Sequence, residues 1–167
     1  MSSSPNWTTL EVLNGITVQV VESVEPWTLD IDTLVVAVGP GGFGSLGRAV
    51  SQQLSTTFAD IPFKQVTPEN PYWYPLTYQD RSDAPARLRS IVLATAHDSQ
   101  GRAAVTLSSR PTIEAAATGL VNALRLADQH GSTWAGATLL GTGRLRLGTN
   151  EVAAATVPRV RKLIEDG

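Results

Sequence analysis

Within the eight residues 141–148, glycine recurs at Gly141, Gly143 and Gly148, and arginine stands at Arg144 and Arg146. Glycine-rich main chain leaves backbone N–H groups open, and such groups hold phosphates and other anions. Arginine adds charge-assisted hydrogen bonds to the same ligands. The apolar run 134–140 precedes this loop and reads as a buried strand, and a helix begins near Asn150. The loop, which also carries Thr142 and Leu145, therefore lies between a strand end and a helix N-terminus, whose partial positive charge favours anions. Read more plainly, the same residues make a tight turn with two solvated charges.

An earlier segment repeats the pattern. Five apolar residues, 34–38, have the length and composition of a strand covered on both faces. They run into Gly39, Pro40, Gly41, Gly42, Phe43, Gly44, Ser45, Leu46 and Gly47, and a helical stretch follows from Arg48 to about Phe58. Two strand–glycine loop–helix turns in one small domain suggest two walls of a single cleft at the carboxyl ends of parallel strands. Other candidate chemistry is thinner. His97-Asp98 at a strand end is an acid/base candidate, and 80–83 offers further carboxylates, but a local turn explains them as well. Asp128 and His130 read as surface residues near a helix end. Tyr72, Trp73 and Tyr74 could stack on a base or face a partner, and anchoring a long loop to the domain is the favoured reading.

The elements that would carry these groups alternate between strand and helix. Asn14-Gly15 between two apolar-alternating runs signals a hairpin, with 16–21 as an edge strand. The proline-rich stretch 59–86 reads as a long ordered loop with one short strand near 73–78. Residues 88–96 form another buried strand. Pro111 opens a helix that Gly131 closes. In the last helix Asn150 is placed as the cap, and Val152, Ala155, Val160 and Leu163 face inward, with Pro158 kinking it or starting its continuation. Alternating strands and helices imply a layered α/β domain with a largely parallel sheet.

The chain has 167 residues, 42% hydrophobic and 17% charged, which fits one globular domain. A net charge of −2 and a pI near 5.6 supply no global field toward nucleic acid or anionic membrane. Cysteine is absent, which removes disulfides and thiolate chemistry, and two histidines are too few for a histidine metal site. No apolar run reaches the roughly 20 residues of a membrane span, and the start lacks the parts of a signal peptide. A cytoplasmic setting is expected. The sequence ends at Gly167 straight after a helix, as expected of a module of a longer protein.

With both loops placed, the chain resembles the macro domain family, known for binding ADP-ribose and related nucleotides. The likeness is best over 111–164, where helix, strand, Gly141-Thr142-Gly143 and helix follow in the order of the family's diphosphate loop. The segment 41–50 looks like the loop that closes over the distal ribose. The resemblance implies a three-layer α/β/α macro-like fold with a mixed, largely parallel sheet, spanning 1–167. It implies ligand-binding roles for Glu22, Gly39, Gly41, Gly42, Phe43, Gly44, Ser45, Leu46, Gly141, Thr142, Gly143, Arg144, Leu145 and Arg146, with Glu22 as the nearest match to the adenine-reading acid.

The departures bear on activity. Catalytic members commonly carry an asparagine pair where Ala37 and Val38 stand, and an aspartate where Leu46 stands. Leucine can neither orient a water nor accept a proton. The resemblance therefore implies sensing of an NAD-derived, ADP-ribose-type nucleotide without hydrolysis, with no cofactor and no metal. A fused or associated effector in bacterial antiviral defence is the expected partner, and nucleic acid is not. An ADP-ribosyl hydrolase is one alternative. The other is a non-binding regulatory domain like that of leucyl-type aminopeptidases.

Overall fold

Asn14 and Gly15 take φ values of 50° and 80°, the left-handed pair that a two-residue hairpin turn demands. They join β1 (Thr8–Leu13) to β2 (Ile16–Val20) as the expected antiparallel hairpin. The computed structural model describes residues 7–20, 26–39, 42–43, 45–53, 61–76, 88–96, 110–138, 140 and 149–166. A 3-10 turn, Pro26–Thr28, leads into β3 (Thr33–Gly39), followed by β4 (Gly42–Phe43) and α1 (Ser45–Gln53). Next come the short 3-10 turn Phe63–Gln65, β5 (Tyr72–Pro75) and β6 (Ser90–Ala94). The chain then forms α2 (Arg110–Gln129), β7 (Ala135–Gly136) and α3 (Thr149–Asp166).

Parallel pairing of β3 with β6 and β7 forms the centre of the main sheet, and β4 and β5 add antiparallel to β3 and β6. The sheet is thus mixed. The hairpin β1–β2 forms its own two-stranded sheet. Because side chains alternate along a strand, β3 and β6 feed two cores. Leu34, Val36, Val38, Ile91 and Leu93 point to one face, where Val50 of α1 and the partly buried Leu46 and Ala49 cover them. Val35, Val92 and Ala94 point to the other, under Ala116, Leu120, Ala123 and Ala127 of α2 and Val152 of α3. Helices on both faces complete three layers.

Several expectations are corrected. The run 134–140 is not a buried strand: among its described residues only Ala135–Gly136 pairs, and Trp134, Ala135, Ala137 and Thr138 are exposed. One edge of β3 is taken by β6 along Thr33–Ala37, so β7 and β4 must share the other. β4 pairs with Val38 and Gly39, and the β7 ladder covers Thr33 and Leu34 at the start of β3. Helix α1 begins at Ser45 rather than Arg48, because the return of the chain at Gly42–Phe43 shortens the loop. Helix α3 begins at Thr149, so Asn150 lies inside it and is not its cap. The helix is continuous past Pro158. His130 is exposed, as expected, and in addition stacks on Trp73 with ring centroids 3.8 Å apart and planes 1° from parallel.

Candidate functional site

Parallel strands share a carboxyl edge, and the connections that matter leave from it. β3 ends at Gly39, where the main chain folds straight back: Gly39 pairs with Gly42 and Val38 with Phe43. Two residues beyond Phe43, α1 starts, with no acidic side chain in its first turn to neutralise its positive end. Gly39 and Gly42 are therefore antiparallel partners close to a helix N-terminus. Gly39, Gly42, Phe43 and the start of α1 lie together at this edge. Of the remaining residues here, Gly41 and Gly44 lie outside the described residues.

The second connection is seated by a close approach of α2. A Cβ at Gly119 would overlap the Thr95 carbonyl, just past the end of β6, and would meet Leu140 Cδ1 at 3.0 Å. Leu140 is buried in the α2 core cluster, so it pins the chain immediately before 141–148 beside the end of β6. Helix α3 then takes over at Thr149. Both glycine loops thus have their anchors at one edge of one sheet, as the sequence suggests. Gly141, Thr142, Gly143, Arg144, Leu145 and Arg146 lie outside the described residues, as do Glu22, 80–83 and His97-Asp98. Sequence reasoning overlooked Gly119, although a glycine inside an alanine-rich helix signals close backbone packing.

The positions that would carry catalysis are spent on packing. Val38 is buried under α1 in one core, and Ala37 packs against the other. Leu46 rests partly buried against the Val38 side. None of the three presents a group able to move a proton. Among the described residues, no cluster of three or more His, Asp or Glu side chains could hold a metal ion. Among the same residues, no helix is long and apolar enough to cross a membrane.

A polar latch fixes the opposite edge. The Asp32 carboxylate, buried just before β3, accepts hydrogen bonds from the Thr133 and Trp134 N–H groups at 2.7 and 3.1 Å. The hydroxyls of Thr33 and Thr133 donate to it at 2.8 Å, and that of Ser132 completes the set. Burial alone would raise its pKa, but the donors from Ser132, Thr133 and Thr33 outweigh it and hold the carboxyl well below the usual carboxylate range. The latch ties the end of α2 to the start of β3 and so sets where β7 begins. The sequence segment Asp30-Ile31-Asp32-Thr33 hinted at it only as a strand lead-in.

No protein-family model and no curated protein matches the sequence. Solved structures do. A macrodomain from Oceanobacillus iheyensis with MES bound aligns with 98% of this chain and 85% of its own at 14% identity and a TM-score of 0.71. A variant of that macrodomain with an aspartate replaced by alanine covers 99% and 85% at 15% identity, TM-score 0.73. The DarTG protein of Thermosipho africanus in complex with ADP-ribose aligns with 86% of this chain and 38% of its own, at 20% identity and a TM-score of 0.59. Together with the mixed sheet and the two helical layers, these likenesses establish that the chain has the macrodomain fold.

Proposed function

We propose that the chain binds an ADP-ribose-type nucleotide across the carboxyl edge of its main sheet, and that it does so without hydrolysing it. The observation that carries this reading is that the described roots of both glycine loops share an edge: Gly39 and Gly42 at the end of β3, and Leu140 beside Thr95 at the end of β6. A diphosphate spans two such loops by accepting from backbone N–H groups and the positive helix ends. In this reading Arg144 or Arg146 adds a charged donor, and Glu22, two residues past the end of β2, accepts from an exocyclic amine. The bound Thermosipho africanus structure supports the ligand class. The packing of Ala37, Val38 and Leu46 supports binding without turnover. The further role is that of a sensor for an NAD-derived signal, passing the bound state to a fused or associated effector in antiviral defence.

Calorimetric titration with ADP-ribose, followed by chromatographic recovery of the ligand, tests this. Saturable binding with the ligand recovered intact is expected. A silent titration by folded protein would overturn the reading in favour of a non-binding regulatory domain, and product formation would favour the hydrolase.

A further inference from the structure

The tip of the β1–β2 hairpin combines a reactive amide with a helix end. Asn14 is the single asparagine followed by glycine; Asn6, Asn70, Asn122 and Asn150 precede Trp7, Pro71, Ala123 and Glu151. Pairing of Leu13 with Ile16 closes the turn, and among the described residues nothing accepts from the Gly15 N–H. Both turn residues are exposed, and a Cβ at Gly15 would meet nothing within 4 Å. The nitrogen that follows Asn14 is thus unhindered, unbonded and open to water. Elsewhere this combination is missing. The nitrogen after Asn70 belongs to Pro71 and carries no proton. Ala123, after Asn122, lies inside α2 with its N–H in the helical ladder.

The Asn14 amide itself is in use. Its Nδ2 donates at 3.2 Å to the carbonyl of Ile164, one of the last four carbonyls of α3, which find no partner inside the helix. The last turn of α3 has no basic residue and includes Glu165 and Asp166. Asn14 therefore caps α3, setting a donor against the negative end of the helix dipole. A second tie joins hairpin and helix: Arg161 donates to both Glu11 carboxylate oxygens at 3.0 and 2.9 Å.

We propose that Asn14 is a site of spontaneous deamidation, and that this modification loosens the hairpin from the end of α3. The Gly15 nitrogen attacks Asn14 Cγ and gives up its proton to solvent. The Cγ–Nδ2 bond breaks, and the amide nitrogen leaves as ammonia. Water then opens the resulting succinimide ring at either of its carbonyls, giving aspartate or isoaspartate at position 14. Both products exchange a donor for a carboxylate, which meets the Ile164 carbonyl and the negative helix end with the wrong sign. Isoaspartate also adds a methylene to the main chain, which a two-residue turn with two left-handed torsions does not accommodate. The tie between Arg161 and Glu11 remains, so the hairpin loosens without detaching. The reaction needs only water and is independent of nucleotide binding.

The test ages the full chain at mildly alkaline pH and body temperature, folded and, in parallel, unfolded in urea. Peptide mapping by mass spectrometry follows every asparagine, and enzymatic carboxyl methylation detects isoaspartate. Conversion concentrated at Asn14 in the folded chain is expected, with isoaspartate among the products and the other asparagines intact. Hydrogen exchange in β1 and β2 of the aged chain should quicken roughly two- to tenfold, as expected for one lost hydrogen bond. Asn14→Asp, which loses the donor without gaining the methylene, should quicken it as well. An intact Asn14 in the folded chain would overturn the site, and its conversion in urea alone would show that the turn shields it. Parent-like exchange in both the aged chain and Asn14→Asp would overturn the loosening.

Discussion

Gly119 lays the backbone of α2 directly against the Thr95 carbonyl, and Leu140 closes over the contact. Helix, strand end and the root of the second glycine loop are therefore one packing unit. Gly119→Ala would gain about 1 kcal/mol of helix propensity at an open site. Here the added methyl has nowhere to go, and overpacking of this kind costs about 1–3 kcal/mol. We expect net destabilisation in urea unfolding together with weaker ADP-ribose binding, because the anchor of 141–148 shifts. An unchanged midpoint would show that α2 can withdraw at no cost.

Asp32→Asn should lower stability by about 3 kcal/mol at neutral pH, since it removes a charged acceptor from buried donors that keep no equal partner. The folded pKa of Asp32 lies below its ordinary 3.8, so the charged latch contributes fully above that value. Its contribution fades as pH falls through the range between the two values. Unfolding midpoints measured from pH 7 down to pH 2 should therefore show the gap between parent and variant narrowing on the acid side. A constant gap would assign the loss to packing instead of charge.

Replacement of Arg144, Arg146 or both by alanine should weaken nucleotide binding about ten- to hundredfold for each arginine that reaches phosphate, the range for hydrogen bonds to charged groups. The loss should shrink with added salt if the site is open. Titrations of the single and double variants at low and high salt measure this. Parent-like affinity in all of them would leave the phosphates to backbone N–H groups alone.

Neither ADP-ribosylated protein nor O-acetyl-ADP-ribose should be consumed by the purified chain, because Leu46 and Val38 are packed into the core beneath the first loop. Mass spectrometry of both substrates after prolonged incubation is the check. Turnover that disappears in His97→Ala would return the chain to the enzymes.

Much of the architecture was legible because it follows from local periodicity. Five consecutive apolar residues at 34–38 can only be shared between two cores, and the alternation of Val35 with Leu34 and Val36 divides them as observed. Asn14-Gly15, Pro111 and Gly131 mark their turn, helix start and helix cap through φ preferences that need no tertiary context. The short ladder of β7 was not legible. Its partner is Thr33–Leu34, a pairing between segments about a hundred residues apart that no window of sequence contains. The latch escaped notice for the same reason: Asp32 meets Ser132 and Thr133 only after the whole α/β unit has folded. The glycine loops themselves were conspicuous, but Gly119, which packs α2 against the root of one of them, was overlooked inside an alanine-rich helix.

The Asp32 latch and Gly39, where the first glycine loop begins, stand at opposite ends of β3, and this separation sorts the chain into frame and cassette. Residues that hold β3, α2 and β7 in register can stay unchanged while the loop sequences between Gly39 and Ser45, or between Leu140 and Thr149, are exchanged for others of similar reach. Loops carried on a rigid frame tolerate such replacement far better than the elements they join. A graft of either loop from another protein of this fold should therefore leave the melting temperature little changed, and any ligand preference should travel with the loop.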